Sequence, residues 1–171
     1  MILQHHVHRT GADCVSTARW RAATLLAGVF FVLAQAAAAD LAPTGRWQTY
    51  DDKTKKARGI VRIWEEKSAL FGRIEGTVDP EEAKKVCDKC PGDRKNRPVV
   101  GLLILRNMKK KADEYTGGDI LDPDNGSVYR CTMHLTEEGR KLVVRGYIGF
   151  SLLGRSQYWV RLADAPGTGA Q

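Results

Sequence analysis

The run Asp122-Pro123-Asp124-Asn125-Gly126, lying between two β-rich segments, constrains this chain more than any other feature. Proline fixes φ early in the turn and Asn-Gly accepts positive φ late in it, so the segments on either side must reverse direction. They are Glu114 to Leu121 and the stretch opened by Tyr129. In the return segment Tyr129, Cys131, Met133 and Leu135 alternate with Arg130, Thr132 and His134. That period of two belongs to an antiparallel strand with one face buried and one wet.

The same pattern repeats along the chain. Gly45 to Tyr50, Gly59 to Trp64 and Ala69 to Glu75 read as three strands, with Lys67-Ser68 as the second turn. Asp79 to Lys85 suits a helical turn with Pro80 near its start, inside a loop-rich insertion from Gly76 to Pro98. Val99 to Leu105 is an apolar run too short for a typical helix and reads as a central strand buried on both sides. Thr136-Glu137-Glu138-Gly139 turns again, Lys141 to Tyr147 returns, and Gln157 to Leu162 closes. Gly117, Gly118 and Gly154 fit bulges or tight bends. The reading is all-β, with about eight strands in up-and-down order and no long crossover helix. A small antiparallel barrel follows, because closure removes the exposed edges of an open sheet.

The first residues follow other rules. Arg9, Arg19 and Arg21 precede the uncharged apolar run Ala22 to Leu33, and the small residues Ala34 to Ala39 come after it. This is the layout of a secretory signal peptide cleaved near Ala39, and the apolar run falls short of the roughly 20 residues of a spanning helix. No cysteine stands at the cleavage site for acylation. The expected division is a signal peptide at 1–39, a barrel domain at 40–162 and a flexible tail at 163–171. A composition of 43% hydrophobic and 27% charged residues suits a packed soluble domain, neither disordered nor integral to a membrane.

The whole chain carries 27 Lys and Arg against 20 Asp and Glu, a net +7; losing Arg9, Arg19, Arg21 and Asp13 with the signal leaves +5. An exported basic protein meets anionic head groups and acidic polymers, not nucleic acid. Lys53, Lys55, Lys56, Arg58 and Lys109 to Lys111 are the clusters for weak contact with an anionic envelope surface. The competing account is that they lie in turns and are simply solvated. Export also decides the cysteines. In an oxidising compartment Cys87-Asp88-Lys89-Cys90 reads as a short disulfide, since a Glu/Lys-rich stretch precedes it and Pro91-Gly92 follows, where a redox pair would cap a helix. Cys131 and His134 bring the count to a zinc-like set of three Cys and one His. They stand three apart on a strand and so face opposite ways, which leaves Cys131 as a small buried residue and no metal expected.

Taken together, Gly45-x-Trp47, Cys87-x-x-Cys90, Asn96 before Pro98, Gly101, Gly117-Gly118-x-Ile120-x-Asp122-Pro123-x-x-Gly126-x-x-Tyr129, Arg145-Gly146-Tyr147 and Gly154-Arg155-x-Gln157-x-Trp159-x-Arg161 resemble the bacterial exported family catalogued as domain of unknown function 2147. The resemblance runs in order from about Gly45 to Leu162. It implies a lipocalin-like (calycin-type) barrel in the bacterial periplasm, and it implies no established activity. In such barrels a Gly-x-Trp on the first strand closes one end under a cation from the last strand, and Trp47 with Arg161 looks like that pair.

Asn96, Arg145, Arg155 and Gln157 have less structural excuse than the glycines and turn residues. Arg145 and Gln157 fall within strands, where an inward position would set a polar head among apolar walls such as Leu103, Leu105 and Met133. Small-ligand sites have that composition, and Arg145 or Arg155 would meet an anionic end. The alternative is that these side chains point outward or plug a barrel end against Asp or Glu; one bulge reverses strand phase, so the pattern does not choose. An enzyme is not expected. After cleavage His134 is the sole histidine and falls on the outer face, no nucleophile or phosphate motif occurs, and the pairs Asp51-Asp52, Glu65-Glu66, Glu81-Glu82 and Glu137-Glu138 sit in turns or at strand ends. The reading is a binding protein for a small amphipathic or anionic ligand, without cofactor. The alternative is a non-enzymatic envelope protein docking a partner through its insertion or basic loops. Oligomeric state is left open.

Overall fold

The structure, a computed structural model, describes residues 42–163. The expected signal peptide, and the expected tail beyond Ala163, lie outside the described residues. Eight antiparallel strands run in sequence order and close into a barrel: β1 Gly45–Tyr50, β2 Ala57–Glu66, β3 Ala69–Thr77, β4 Leu103–Lys111, β5 Glu114–Leu121, β6 Val128–Thr136, β7 Lys141–Tyr147 and β8 Gly154–Leu162. Closure is made by β1 and β8, through Arg46 opposite Leu162, Trp47 opposite Arg161 and Gln48 opposite Val160. All ladders lie between Gly45 and Leu162, so this unit holds a complete sheet and core of its own. Among the described residues no helix is long and apolar enough to cross a membrane.

Local chemistry accounts for the turns. Lys67 and Ser68 both adopt positive φ, 50° and 60°, the backbone of a two-residue hairpin turn between β2 and β3. In the β5–β6 turn Gly126 takes φ 74° and its N–H donates to the Asp122 carbonyl at 2.9 Å. The Asp122 carboxylate accepts from the Asp124 N–H at 2.9 Å and the Asn125 amide at 3.0 Å. Gly117 at φ 81° marks a bulge in β5, and a Cβ at Gly118 would strike the Arg106 carbonyl. In β6, Cys131 and Met133 are fully buried and His134 is exposed, as alternation requires.

The apolar run at 99–105 departs from expectation. It was read as a central strand, yet β4 starts at Leu103 and carries the pairing on through Lys109, Lys110 and Lys111, residues read as turn. Val99 to Leu102 instead make a turn: Gly101, exposed, holds φ 90°, its N–H donates to the Ile74 carbonyl at 2.8 Å, and the Leu102 N–H donates to the Val99 carbonyl at 3.2 Å. Val99 and Leu102 are buried all the same, because hydrophobicity reports burial and not extension.

The helical turn is present as α1, Pro80–Ala83, with the Asp79 side chain accepting from the Glu81 N–H at 2.9 Å. Beyond it, the Cys87–Cys90 disulfide is formed, both cysteines buried. One end of the barrel is shut by Trp47, fully buried, whose indole donates to the Pro43 carbonyl at 2.8 Å. The Arg161 guanidinium lies 4.4 Å from the Trp47 ring centre and donates to the carbonyls of Gly139 (2.7 Å), Thr44 (2.7 Å) and Ala42 (2.8 Å). A cation over an indole contributes about 0.5 to 2 kcal/mol. Above this plug, Ile63, Leu70, Leu105, Met108, Met133 and Leu142 fill the closed half.

Candidate functional site

The other half of the barrel is hollow. A cavity of about 1400 Å³ opens among the β1–β2, β5–β6 and β7–β8 loops and the insertion before β4. Its inner wall is apolar, with Val61, Ile74, Ile104, Ile120, Val144 and the ring of Tyr129. Leu105 and Met133, foreseen as wall, lie below it in the packed half, and Leu103 is half-buried outside it.

Strand β8 supplies its polar spine. Arg155, Gln157, Trp159 and Arg161 alternate onto one face, running from rim to closed end. Trp159, 1% exposed, donates from Nε1 to Gln157 Oε1 at 3.1 Å. Gln157 donates from Nε2 to Asp52 Oδ2 at 3.1 Å, and Arg155 Nε reaches that oxygen at 2.7 Å. An indole, an amide, a carboxylate and a guanidinium thus link floor to mouth. On the opposite rim Arg58 pairs with Asp124, joining the start of β2 to the β5–β6 turn, and that hydrogen bond raises the Arg58 pKa.

Of the four expected pocket residues, Gln157 and Arg155 line the cavity. Arg145 and Asn96 do not. Arg145 stands opposite Thr132 and Ser156 in the ladders, the face away from Val144 and Gly146, so strand phase turns it outward. Its guanidinium grips the β7–β8 loop, donating from Nε and Nη2 to the Ser151 carbonyl at 2.8 and 2.7 Å, from Nη2 to the Leu152 carbonyl at 3.3 Å, and from Nη1 to Ser156 Oγ at 3.1 Å. Asn96 is exposed with φ 56°, a left-handed turn residue whose N–H donates to the Cys87 carbonyl at 2.8 Å. Asp52 is the residue the sequence reading missed. It was taken as half of a solvated pair, but Asp51 caps its own turn, where hydrogen bonds from Thr54 lower its pKa, and Asp52 turns to Gln157 and Arg155.

One side of the mouth is covered by the insertion, through Lys85, Val86, Asp88 and Val99. The disulfide positions this flap, since Cys87 Sγ lies 3.4 Å from the Pro123 carbonyl and a Cβ at Gly126 would strike Lys89. Farther along, Arg94 is 7% exposed and reaches Asp119 at 3.3 Å, while Asp93 takes both ends of the Arg106 fork, at 3.1 and 2.7 Å, which lowers its pKa. The zinc-like set is not brought together. Cys87 and Cys90 bond to each other, and Cys131 and His134 take opposite faces of β6. Burial pushes the Cys131 thiol up to about 12, with Asp119 adding to it.

The arrangement can enclose an apolar body and meet a polar end at the rim. Comparison with known proteins agrees on the fold. Protein HP1028 from the human pathogen Helicobacter pylori, described as belonging to the lipocalin family, matches with a TM-score of 0.64 and 22% identity, over 73% of this chain and 86% of that one. A search of curated proteins gave no match. A family model described as an uncharacterized protein conserved in bacteria, DUF2147, matches residues 45–161, the whole barrel from the first strand to the Arg161 plug, and the chain belongs to that family.

Proposed function

We propose that this lipocalin-like barrel is an exported, non-enzymatic carrier of the bacterial periplasm, holding a small amphipathic molecule with its apolar part on Trp159 and its polar end at Arg155, Gln157 and Asp52. The observation that carries this reading is the half-hollow barrel. The same strands that pack densely around Met108 and Leu142 leave a cavity above Trp159 whose inner wall is apolar, with Gln157, Asp52 and Arg155 in one column and further charged groups, Arg58 and Asp124 among them, around the mouth. Apolar walls with a few fixed polar groups are the make-up of small-ligand sites. Arg155 gives an anionic end a partner, and Gln157 serves a neutral one as donor or acceptor. Export rests on the signal layout of the first 39 residues.

Native mass spectrometry of the protein purified from its own envelope tests this. A stoichiometric small molecule is expected on the native protein and is expected to be held more weakly or lost in the Ile120→Trp variant, whose larger side chain intrudes on the apolar wall of the cavity. A bare chain that also fails to take up an apolar fluorescent probe, with no difference between native protein and variant, would overturn the proposal.

A further inference from the structure

The loop between β7 and β8 does what soluble loops avoid. Within Ile148 to Leu153 it exposes Ile148 (68%), Phe150 (79%), Leu152 (89%) and Leu153 (77%) to solvent. Scattered surface leucines need no explanation, but a contiguous apolar patch marks a contact surface. The loop is also held in this shape: Arg145 binds the Ser151 and Leu152 carbonyls from below, and the Leu153 N–H donates to the Phe150 carbonyl at 3.0 Å. Its backbone is anchored while its apolar side chains are displayed.

The neighbouring loop is basic. The β1–β2 turn carries exposed Lys53, Lys55 and Lys56, and it is tied to the start of β8 through Asp52 and Arg155. Most rim carboxylates are engaged locally, Asp88 being exposed without an ion pair among the described residues. Asp51 accepts from Thr54, Asp52 from Gln157 and Arg155, Asp124 from Arg58, and Glu82 from Lys85. Apolar tips beside exposed lysines that make no ion pair among the described residues, on one end of the molecule, complement the boundary of an anionic bilayer. A folded protein partner fits less well, since four side chains on one short loop present far less than the roughly 800 Å² per partner of a stable protein interface.

We propose that the barrel docks mouth-first on an anionic phospholipid surface, with Ile148, Phe150, Leu152 and Leu153 entering the interface and Lys53, Lys55 and Lys56 meeting the head groups. Ile148, Leu152 and Leu153 also border the cavity mouth, so the two surfaces share a rim, but docking itself requires no bound ligand. In that orientation the mouth opens at the membrane, and an amphipathic molecule would enter without crossing water.

The test is co-sedimentation of the self-contained barrel, residues 40–171, with vesicles of phosphatidylcholine alone or mixed with phosphatidylglycerol. Binding is expected on the mixed vesicles, weakening as salt rises. Combined Phe150→Ser and Leu152→Ser, and separately Lys53→Glu with Lys55→Glu and Lys56→Glu, should each weaken it by about tenfold or more. These residues are exposed, so melting temperature should hold; Leu152→Asp alone is the milder variant if the double change disturbs folding. Lys109→Glu with Lys110→Glu and Lys111→Glu, at the closed end, should weaken binding far less. The proposal fails if native protein does not pellet with mixed vesicles, if the loop variants bind as it does, if the closed-end lysines matter equally, or if the loop instead drives a dimer seen by analytical ultracentrifugation.

Discussion

At Cys131 the barrel has turned a reactive group into packing material. The thiol is fully buried in the core, and burial raises its pKa from 9.0 to about 12. A group whose folded pKa lies above its unfolded value stabilises the fold fully below the unfolded pKa and loses that contribution as pH rises through the folded one. Stability should therefore fall between pH 9.0 and about 12, and a Cys131→Ala variant should fall less over the same range, as read by urea denaturation at neutral and alkaline pH. Iodoacetamide should label Cys131 only after unfolding. Alternation alone placed this residue inward and His134 outward, because β6 is regular. The same logic did not settle Arg145 and Gln157. They lie on neighbouring strands in opposite phase, and only the register, Val144 opposite Gln157 and Arg145 opposite Ser156, shows which one looks inward.

Among the elements, strands flanked by strong turns were legible in the sequence and the insertion was not. β1, β5 and β7 fall where their patterns put them, since a turn signal fixes each end. β4 does not, because Pro98 and Gly101 fold the first half of its apolar run into a turn and the lysines beyond continue the ladder. A lysine on a strand that projects past the core costs little, so charge is a poor marker of strand ends. The Cys87–Cys90 staple holds the insertion against the β5–β6 turn, and closing so short a loop contributes about 2 kcal/mol. Replacing both cysteines by Ala should leave the barrel folded with a modest loss of stability. Hydrogen exchange should speed up at residues 85–99 and 122–126 while the strands stay protected, the pattern of a local opening. The apolar β7–β8 loop drew no sequence reading, because nothing in a short apolar run says whether it will be buried.

The whole molecule depends on a narrow seam. β1 and β8 meet over Arg46 to Gln48, and the middle pair is Trp47 with Arg161. Trp47→Ala removes the plug and the platform for the guanidinium together, and should cost about 3 to 5 kcal/mol, seen as a single cooperative unfolding transition shifted to lower denaturant. The class of fold, the order of the strands and the disulfide were legible in the residues, since each depends on local spacing or on residue types with few alternative uses, and the closing pair was legible through the family resemblance. Three facts became visible in three dimensions alone: the barrel is packed at one end and hollow at the other, Asp52 joins Gln157 and Arg155 at the mouth, and Arg145 serves the loop instead of the cavity. Those facts depend on register across the sheet, where a shift of one residue exchanges the two faces, and on how far side chains from eight strands fill the space they enclose.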